Sequence, residues 1–215
     1  MKTSMFATVG LLAAAAALAG QVDFSKAKLK TPAALTEQAP ATFKAKFDTS
    51  KGVFVIEVHR AWAPNGADRF YQLAQEHFFD ESRFFRVVPG FVAQFGLHND
   101  RKANERWEAI KLPDDSVRQT SARGTLVFTN SGPNTRSHQI FINLADNSRL
   151  DKQGFSPFGR VVEGMAVVDS LYSGYEDAPD QQYIRTLGNS YLTRMFPKLD
   201  YIRTARHQTA LSGPR

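Results

Sequence analysis

Cysteine is absent from all 215 residues of the chain. Without it the protein can form no disulfide, no cysteine-ligated zinc site, no thiol nucleophile and no lipid anchor on an N-terminal cysteine. Internal repeats are also lacking, and so is a basic stripe. Although the net charge is +6, Lys and Arg are interleaved with Asp and Glu along most of the sequence. These features argue against a disulfide scaffold, a repeat protein and a nucleic-acid-binding protein.

An apolar run near the start is too short to span a membrane. It extends from about Phe6 to Ala19, follows Lys2 and ends in small residues, whereas a membrane-spanning helix needs roughly 18 or more apolar residues. The pattern predicts a signal peptide over residues 1–19, cleaved near Ala19. We therefore expect export to a periplasm or the exterior, with no stable membrane association after cleavage. An uncleaved anchor is the alternative.

Residues 20–41 are predicted to be a linker, because Pro32 and Pro40 interrupt a stretch rich in Lys, Ala and Thr. A compact domain is expected over residues 42–174, since 42% of the chain is hydrophobic and 12% aromatic. Residues 175–204 are too apolar to be unpacked, so we expect a C-terminal extension that packs on the domain. Residues 205–215 are expected to be a flexible tail.

Short runs with the two-residue period of strands dominate the predicted domain. Residues 42–48 and 53–58 predict a hairpin, and a helix is predicted after Pro64, where Phe70, Leu73 and Ala74 recur at helical spacing. A second helix is predicted over residues 165–171. Many short strands and two helices favour a closed or nearly closed antiparallel barrel with helices at its ends. The other predicted strands are residues 84–88, 92–95, 125–129, 139–144 and 158–162.

An arginine stands in the middle of one apolar strand, in the sequence Phe-Phe-Arg-Val-Val-Pro-Gly-Phe-Val-Ala-Gln from Phe84 to Gln94. Arginine is rarely buried without a partner. On a regular strand Phe84, Arg86 and Val88 share one face, so Arg86 requires a polar neighbour, a carboxylate or a ligand. Val92 and Gln94 share a face in the same way.

A second run leads from Thr129-Asn-Ser-Gly-Pro-Asn-Thr to Gln139-Ile-Phe-Ile-Asn143. Ile140, Ile142 and Leu144 form an ordinary core face, so Gln139, Phe141 and Asn143 point away from the core. An aromatic side chain between two amides on an outer face suits the floor of a groove.

Both runs resemble the two signature segments of the cyclophilins, in the order and separation usual for that family, and the resemblance covers roughly residues 42–171. It implies a mainly β fold: a closed eight-stranded antiparallel β-barrel capped by two α-helices, with a shallow groove on the outer wall. It also implies a peptidyl-prolyl cis-trans isomerase that acts on proline-containing polypeptides. We expect no cofactor, no metal and a monomer.

The resemblance assigns a role to eleven residues. Arg86 matches the catalytic arginine, which would stabilise the twisted amide. The match also gives an apolar proline pocket, two amides of the groove and a backbone stretch that pairs with the peptide. These substrate-binding residues are Phe91, Val92, Phe141 and Leu150 for the pocket, Gln94 and Gln139 for the amides, and Thr129, Asn130 and Ser131 for the backbone stretch. Phe155 is also assigned to substrate binding.

The sequence departs from the family pattern at several positions. Phe85 replaces a histidine, Ile140 replaces a frequent phenylalanine, and Phe155 falls where many relatives have histidine. Arg149 stands where many relatives carry the tryptophan that contacts cyclosporin. We therefore expect catalysis to persist and cyclosporin binding to be weak.

The sequence leaves three alternatives to the isomerase open: a binding module, a hydrolase and a metal site. The same groove could hold proline-bearing segments as a chaperone or docking module with little turnover. A hydrolase built on Ser137 and His138 is disfavoured because adjacent strand residues face opposite ways. A metal site at His98 and Asp100 lacks a third ligand.

Overall fold

The computed structural model describes residues 36–208. The predicted signal peptide, most of the predicted linker and the last part of the predicted tail lie outside this range. Among the described residues, no helix is both long and apolar enough to cross a membrane.

The strands are β1 (Thr42–Thr49), β2 (Gly52–His59), β3 (Arg86–Val88), β4 (Val92–Phe95), β5 (Thr125–Phe128), β6 (Ile140–Asn143), β7 (Gly159–Glu163) and β8 (Ile202–Gln208). The helices are α1 (Pro64–Gln75), α2 (Arg101–Ala109), α3 (Met165–Asp169), α4 (Gln181–Leu187), α5 (Asn189–Met195) and a 3₁₀-helix (Ser148–Gln153).

The eight strands form one antiparallel sheet in the order β3-β4-β6-β5-β7-β2-β1-β8. The two end strands approach each other where the residues that precede β3 meet the start of β8 and the residues just before it. The amide of Phe84 donates to the carbonyl of Asp200 at 3.0 Å, and that of Ile202 donates to the carbonyl of Ser82 at 2.9 Å. The prediction of a mainly β fold with eight antiparallel strands is confirmed. A closed barrel and a two-helix cap are not, because no ladder joins β3 to β8 and the described residues contain five α-helices.

The main core lies between the inner face of the sheet and α1. Phe47 and Phe54 face each other across the β1–β2 hairpin with ring centroids 4.9 Å apart. Phe70 and Leu73 of α1 are fully buried against this layer, as the helical spacing predicted. Burying large aromatic rings supplies much of the stabilising free energy of such a domain.

Helix α1 begins at a proline, whose missing N–H would be unpaired at that position in any helix. The next two backbone amides, of Asn65 and Gly66, donate to the carboxylate of Asp115, each at 2.9 Å. Asp115 in turn pairs at 3.1 Å with Arg136, and both side chains are almost fully buried. A loop distant in sequence therefore satisfies the start of α1 and fixes the segment just before β6.

The predicted alternation around Arg86 is correct within β3 but wrong at Phe84. Arg86 and Val88 are half-buried while Val87 lies in the main core, as a strand requires. Phe84 also lies in the main core, because regular strand geometry begins only at Arg86 and the two residues before it do not alternate. Phe85 instead joins a second apolar cluster with residues of the C-terminal region.

The predicted boundary at residue 205 is wrong because it falls inside β8. This strand pairs with β1 along most of its length, and Ala205, opposite Phe47, is fully buried. The C-terminal region is therefore part of the sheet as well as packed against it. Its helices α4 and α5 contribute Ile184 and Leu192 to the second cluster. At the other end of the domain, Ala39 of the predicted linker is buried in the main core, and its amide donates to Asp68 of α1 at 2.9 Å.

Candidate active site

A cavity of about 270 Å³ opens on the outer face of the sheet, where β3, β4, β5 and β6 lie side by side. The 3₁₀-helix, α4 and the segment that follows β5 form further walls. All eleven residues assigned from sequence line this cavity. The complete lining is Arg86, Phe91, Val92, Gln94, Thr129, Asn130, Ser131, Gln139, Phe141, Leu150, Phe155, Gln181 and Arg185. Their roles in binding and catalysis stay predictions.

One half of the cavity is apolar. Val92, Phe141 and Leu150 are buried in a small cluster that is separate from the main core, with Phe91 and Phe155 packed against it. The rings of Phe141 and Phe155 meet edge-on with centroids 5.7 Å apart. Phe141 reaches this face because its neighbours Ile140 and Ile142 point into the main core, which confirms the predicted alternation of β6. The half-buried rings of Phe91 and Phe155, together with the buried Phe141, form a slot suited to a small apolar ring.

The other half carries a guanidinium and two amides. Arg86 of β3 lies opposite Gln94 of β4, and its Nη1 donates to Gln94 Oε1 at 3.5 Å. Gln94 Nε2 donates to Gln139 Oε1 at 2.9 Å. The guanidinium carbon of Arg86 also lies 5.5 Å from the centroid of the Phe91 ring. Arg86 is therefore held at the edge of the apolar slot by a neutral partner, and it makes no ion pair with any described residue, so its charge is not neutralised.

A segment following β5 forms a polar wall. The amide of Thr129 donates to the carbonyl of Gln139 at 3.0 Å, and that of Ser131 donates to Thr135 Oγ1 at 2.8 Å. Between them, the backbone of Asn130 makes no hydrogen bond within residues 36–208. Backbone groups that are not paired within the protein can pair with an extended peptide.

Two lining residues were not predicted from sequence: Gln181 and Arg185 of α4. Arg185 Nε donates to Glu108 of α2 at 3.1 Å, and Glu108 lies 3.9 Å from Nε2 of the buried His138. His138 first and Arg185 to a smaller extent lower the pKa of Glu108 to about 2, against an opposing effect of burial. The sequence does carry a helix signal here, with Asp180 as N-cap and Gly188 at the end of the helix, but nothing in it connects this helix to the groove.

The histidines of the alternative hydrolase and metal sites, His138 and His98, both hydrogen-bond to backbone groups. His138 is fully buried and its Nδ1 lies 2.7 Å from the carbonyl oxygen of Gly96, which is 42 residues away in sequence. His98 Nδ1 accepts a hydrogen bond from the backbone of Asp100, whose carboxylate caps α2. No group of three potential metal-ligating side chains occurs in the described part of the chain.

A family model described as cyclophilin type peptidyl-prolyl cis-trans isomerase/CLD matches residues 44–188. The chain belongs to this cyclophilin family. It is accordingly an enzyme, a peptidyl-prolyl cis-trans isomerase.

Curated relatives agree with this assignment. The chain is 37% identical over 140 residues to peptidyl-prolyl cis-trans isomerase ppi1 of Schizosaccharomyces pombe, covering 63% of this chain and 89% of the relative. It is 30% identical over 159 residues to a peptidyl-prolyl cis-trans isomerase of Acinetobacter baylyi, covering 68% and 85%. Among solved structures, a Cryptosporidium parvum cyclophilin crystallised in the presence of the dipeptide Ala-Pro superposes with a TM-score of 0.57 at 17% identity. That match covers 78% of this chain and 99% of that one, and it supports the fold.

Proposed function

We propose that this cyclophilin accelerates rotation about X-Pro bonds of exported proteins by using Arg86 to stabilise the twisted amide. The proline ring would occupy the apolar slot between Phe91, Phe141 and Leu150. The observation that carries the proposal is the position of the Arg86 guanidinium, which lies 5.5 Å from the Phe91 ring and has no anionic partner among the described residues.

The chemistry of the reaction explains why a cation at this place would help. Rotation must break the amide resonance, with a barrier of about 18 to 20 kcal/mol. In the twisted state the prolyl nitrogen becomes pyramidal and regains a lone pair, which Arg86 can meet with a hydrogen bond. The planar amide offers that lone pair far less, so the contact favours the transition state over the ground state. A guanidinium stays charged at any working pH and presents its donors in a rigid plane.

Arg86 cannot supply the whole effect. An acceleration of about 10⁵-fold needs about 7 kcal/mol, whereas a hydrogen bond to a charged group contributes about 1.5 to 3 kcal/mol. We assign the remainder to the apolar slot, which would hold the proline ring while the preceding carbonyl swings and would disfavour the dipolar planar amide. Substrate backbone would pair with the free groups of Asn130, and Gln94 would hold Arg86 in place.

Substitution of Arg86 tests this mechanism. Arg86→Ala should lower kcat/KM for a proline tetrapeptide by about ten- to a hundredfold while much of the peptide affinity persists. Arg86→Lys keeps the charge but loses the planar fork, so it should recover only part of the rate. Rates are measured by a protease-free assay and affinity by titration with the same peptide. Arg101→Ala, which removes an exposed arginine of α2, is the matched control and should leave both unchanged.

The alternative function is a proline-peptide-binding chaperone or docking module with little turnover. It would gain support if Arg86→Ala reduced affinity and rate by the same factor, because the arginine would then act in ground-state binding alone. A rate in Arg86→Ala equal to that of the wild type would refute the proposed role of Arg86.

The proposal of exported substrates rests on the predicted signal peptide over residues 1–19. A protein delivered outside the cytoplasm would meet unfolded polypeptides as they arrive, and X-Pro isomerisation is slow enough to limit their folding. We propose that the mature enzyme acts there as a monomer. Intact-mass measurement of the exported protein should show a chain that begins close to residue 20, and a mass that includes Met1 would contradict cleavage.

A further inference from the structure

Helix α4 contributes two polar side chains, Gln181 and Arg185, to the same cavity as the predicted active-site residues. The two residues are four positions apart and therefore lie on one face of the helix. The two signature runs around Arg86 and Phe141 do not include this helix. From these observations we infer that Arg185 is a specificity residue, which favours substrates with a carboxylate side chain close to the proline. This inference rests on the proposed function of the groove.

Arg185 is held in place by a well-anchored helix. Its neighbour Ile184 is buried in the second apolar cluster together with Phe85, the residue next to Arg86. Asp180 caps the start of α4, and its carboxylate accepts hydrogen bonds from the amides of Gln182 and Tyr183. The second cluster therefore couples the position of α4 to that of β3, and a guanidinium on this helix has a defined location in the groove.

The guanidinium retains capacity for a ligand. Only its Nε is hydrogen-bonded within the described residues, to Glu108, and the Arg185 side chain is one-third exposed. An arginine carries five N–H donors, so the two terminal nitrogens can bind an anion in bidentate fashion. The ammonium group of Lys111 also lies 3.7 Å from the Glu108 carboxylate, so Arg185 is not the only cation that pairs with Glu108.

The charges around the cavity point to an acidic ligand. Its charged lining residues are Arg86 and Arg185, and no carboxylate lines it. Arg149 adds a third guanidinium beside the slot, 5.1 Å from the centroid of the Phe91 ring. A peptide with a carboxylate near its proline would meet complementary charge, whereas one with Lys or Arg there would be repelled.

The position of Arg185 indicates which end of the groove is involved. Glu108, its partner, reaches His138, the residue before Gln139, while the proline slot is built around Phe141. Gln139 lines the cavity together with Arg185, so the contacts through Glu108 and His138 place Arg185 at the amide end of the groove and not at the slot itself. The carboxylate it would bind therefore belongs to a residue flanking the proline in the substrate.

Peptide pairs that differ only in Glu against Gln test the inference. Within a pair, the Glu or Gln stands either directly before or directly after the proline. The value of kcat/KM for each peptide is measured by the protease-free assay. For the wild type, one position should favour Glu about three- to tenfold, and the preference should shrink as salt is raised. In Arg185→Gln this Glu/Gln ratio should fall to about one, and Arg185→Lys should restore part of it.

Two further variants separate recognition from a structural effect. Glu108→Gln removes the carboxylate that competes for Arg185, so the Glu/Gln ratio should rise, whereas mere damage to the α2–α4 contact would lower the ratio in both variants. Arg194→Gln removes an exposed charge of the neighbouring helix α5 and should leave the ratio as in the wild type.

Equal rates for Glu and Gln peptides at every position in the wild type would overturn the inference. So would a ratio unchanged by Arg185→Gln. Either result leaves the role of Arg86 intact, because that role is judged by the rate on neutral peptides.

Discussion

At the scale of single residues, the Phe91 ring is flanked by two guanidinium groups. Arg86 lies 5.5 Å and Arg149 lies 5.1 Å from its centroid. Arg149 is the residue that stands in place of the tryptophan with which many relatives contact cyclosporin. An apolar macrocycle placed here would have to desolvate a charged group without pairing it, which is costly. Cyclosporin should therefore inhibit this enzyme weakly.

Inhibition of peptide isomerisation by cyclosporin measures this effect. Arg149→Trp should strengthen inhibition by about tenfold or more, because an indole replaces the cation with apolar surface. Arg149→Gln serves as the control, since it removes the charge without adding an aromatic ring, and it should gain less. Nanomolar inhibition of the wild type would contradict the prediction.

The residues of the groove differ in how far sequence could predict them. Strand alternation alone places Phe141 and Gln139 outside the core, and the two signature runs place Arg86 and Asn130 in one site. Alternation predicts the wrong face for Phe84 because it holds only where a strand is regular, and β3 is regular for three residues. Arg185 was not predicted at all, because its place in the groove depends on how α4 packs on Phe85 and Leu97, and no periodicity encodes such a contact.

At the scale of elements, most strands could be predicted to within two residues. Strand β4 has the predicted bounds, and β1 and β2 form the predicted hairpin with register Thr49 opposite Gly52. The prediction lacks helix α2, although the sequence carries its signals: Asp100 is its N-cap, and Ala103 and Trp107 are buried one turn apart. Helices α4 and α5 were missed because each spans seven residues, too few for a clear period.

At the scale of the whole molecule, the C-terminal strand connects the end of the described chain to its beginning. Strand β8 pairs with β1, and its first residue Ile202, together with Asp200 just before it, forms backbone hydrogen bonds to residues 81–84, which precede β3. The C-terminal region also contacts β3 directly, because the Val87 amide donates to the carbonyl of Glu176 at 3.3 Å. Because β3 carries Arg86, the geometry of the groove depends on packing by the C-terminal region.

This dependence predicts that a core substitution in β8 destabilises the enzyme as much as one in the central sheet. Ile202 is fully buried in the main core, so Ile202→Ala should lower the free energy of unfolding by about 2 to 5 kcal/mol. Gln208→Ala, on the exposed end of the same strand, should change it by less than about 0.5 kcal/mol. Urea denaturation followed by circular dichroism measures both. If a domain over residues 42–174 folded independently of residues 202–208, Ile202→Ala would leave the midpoint of the main unfolding transition at the wild-type urea concentration. A sheet completed by β8 instead requires the single transition to move to lower urea, and isomerase activity to be lost within that same transition.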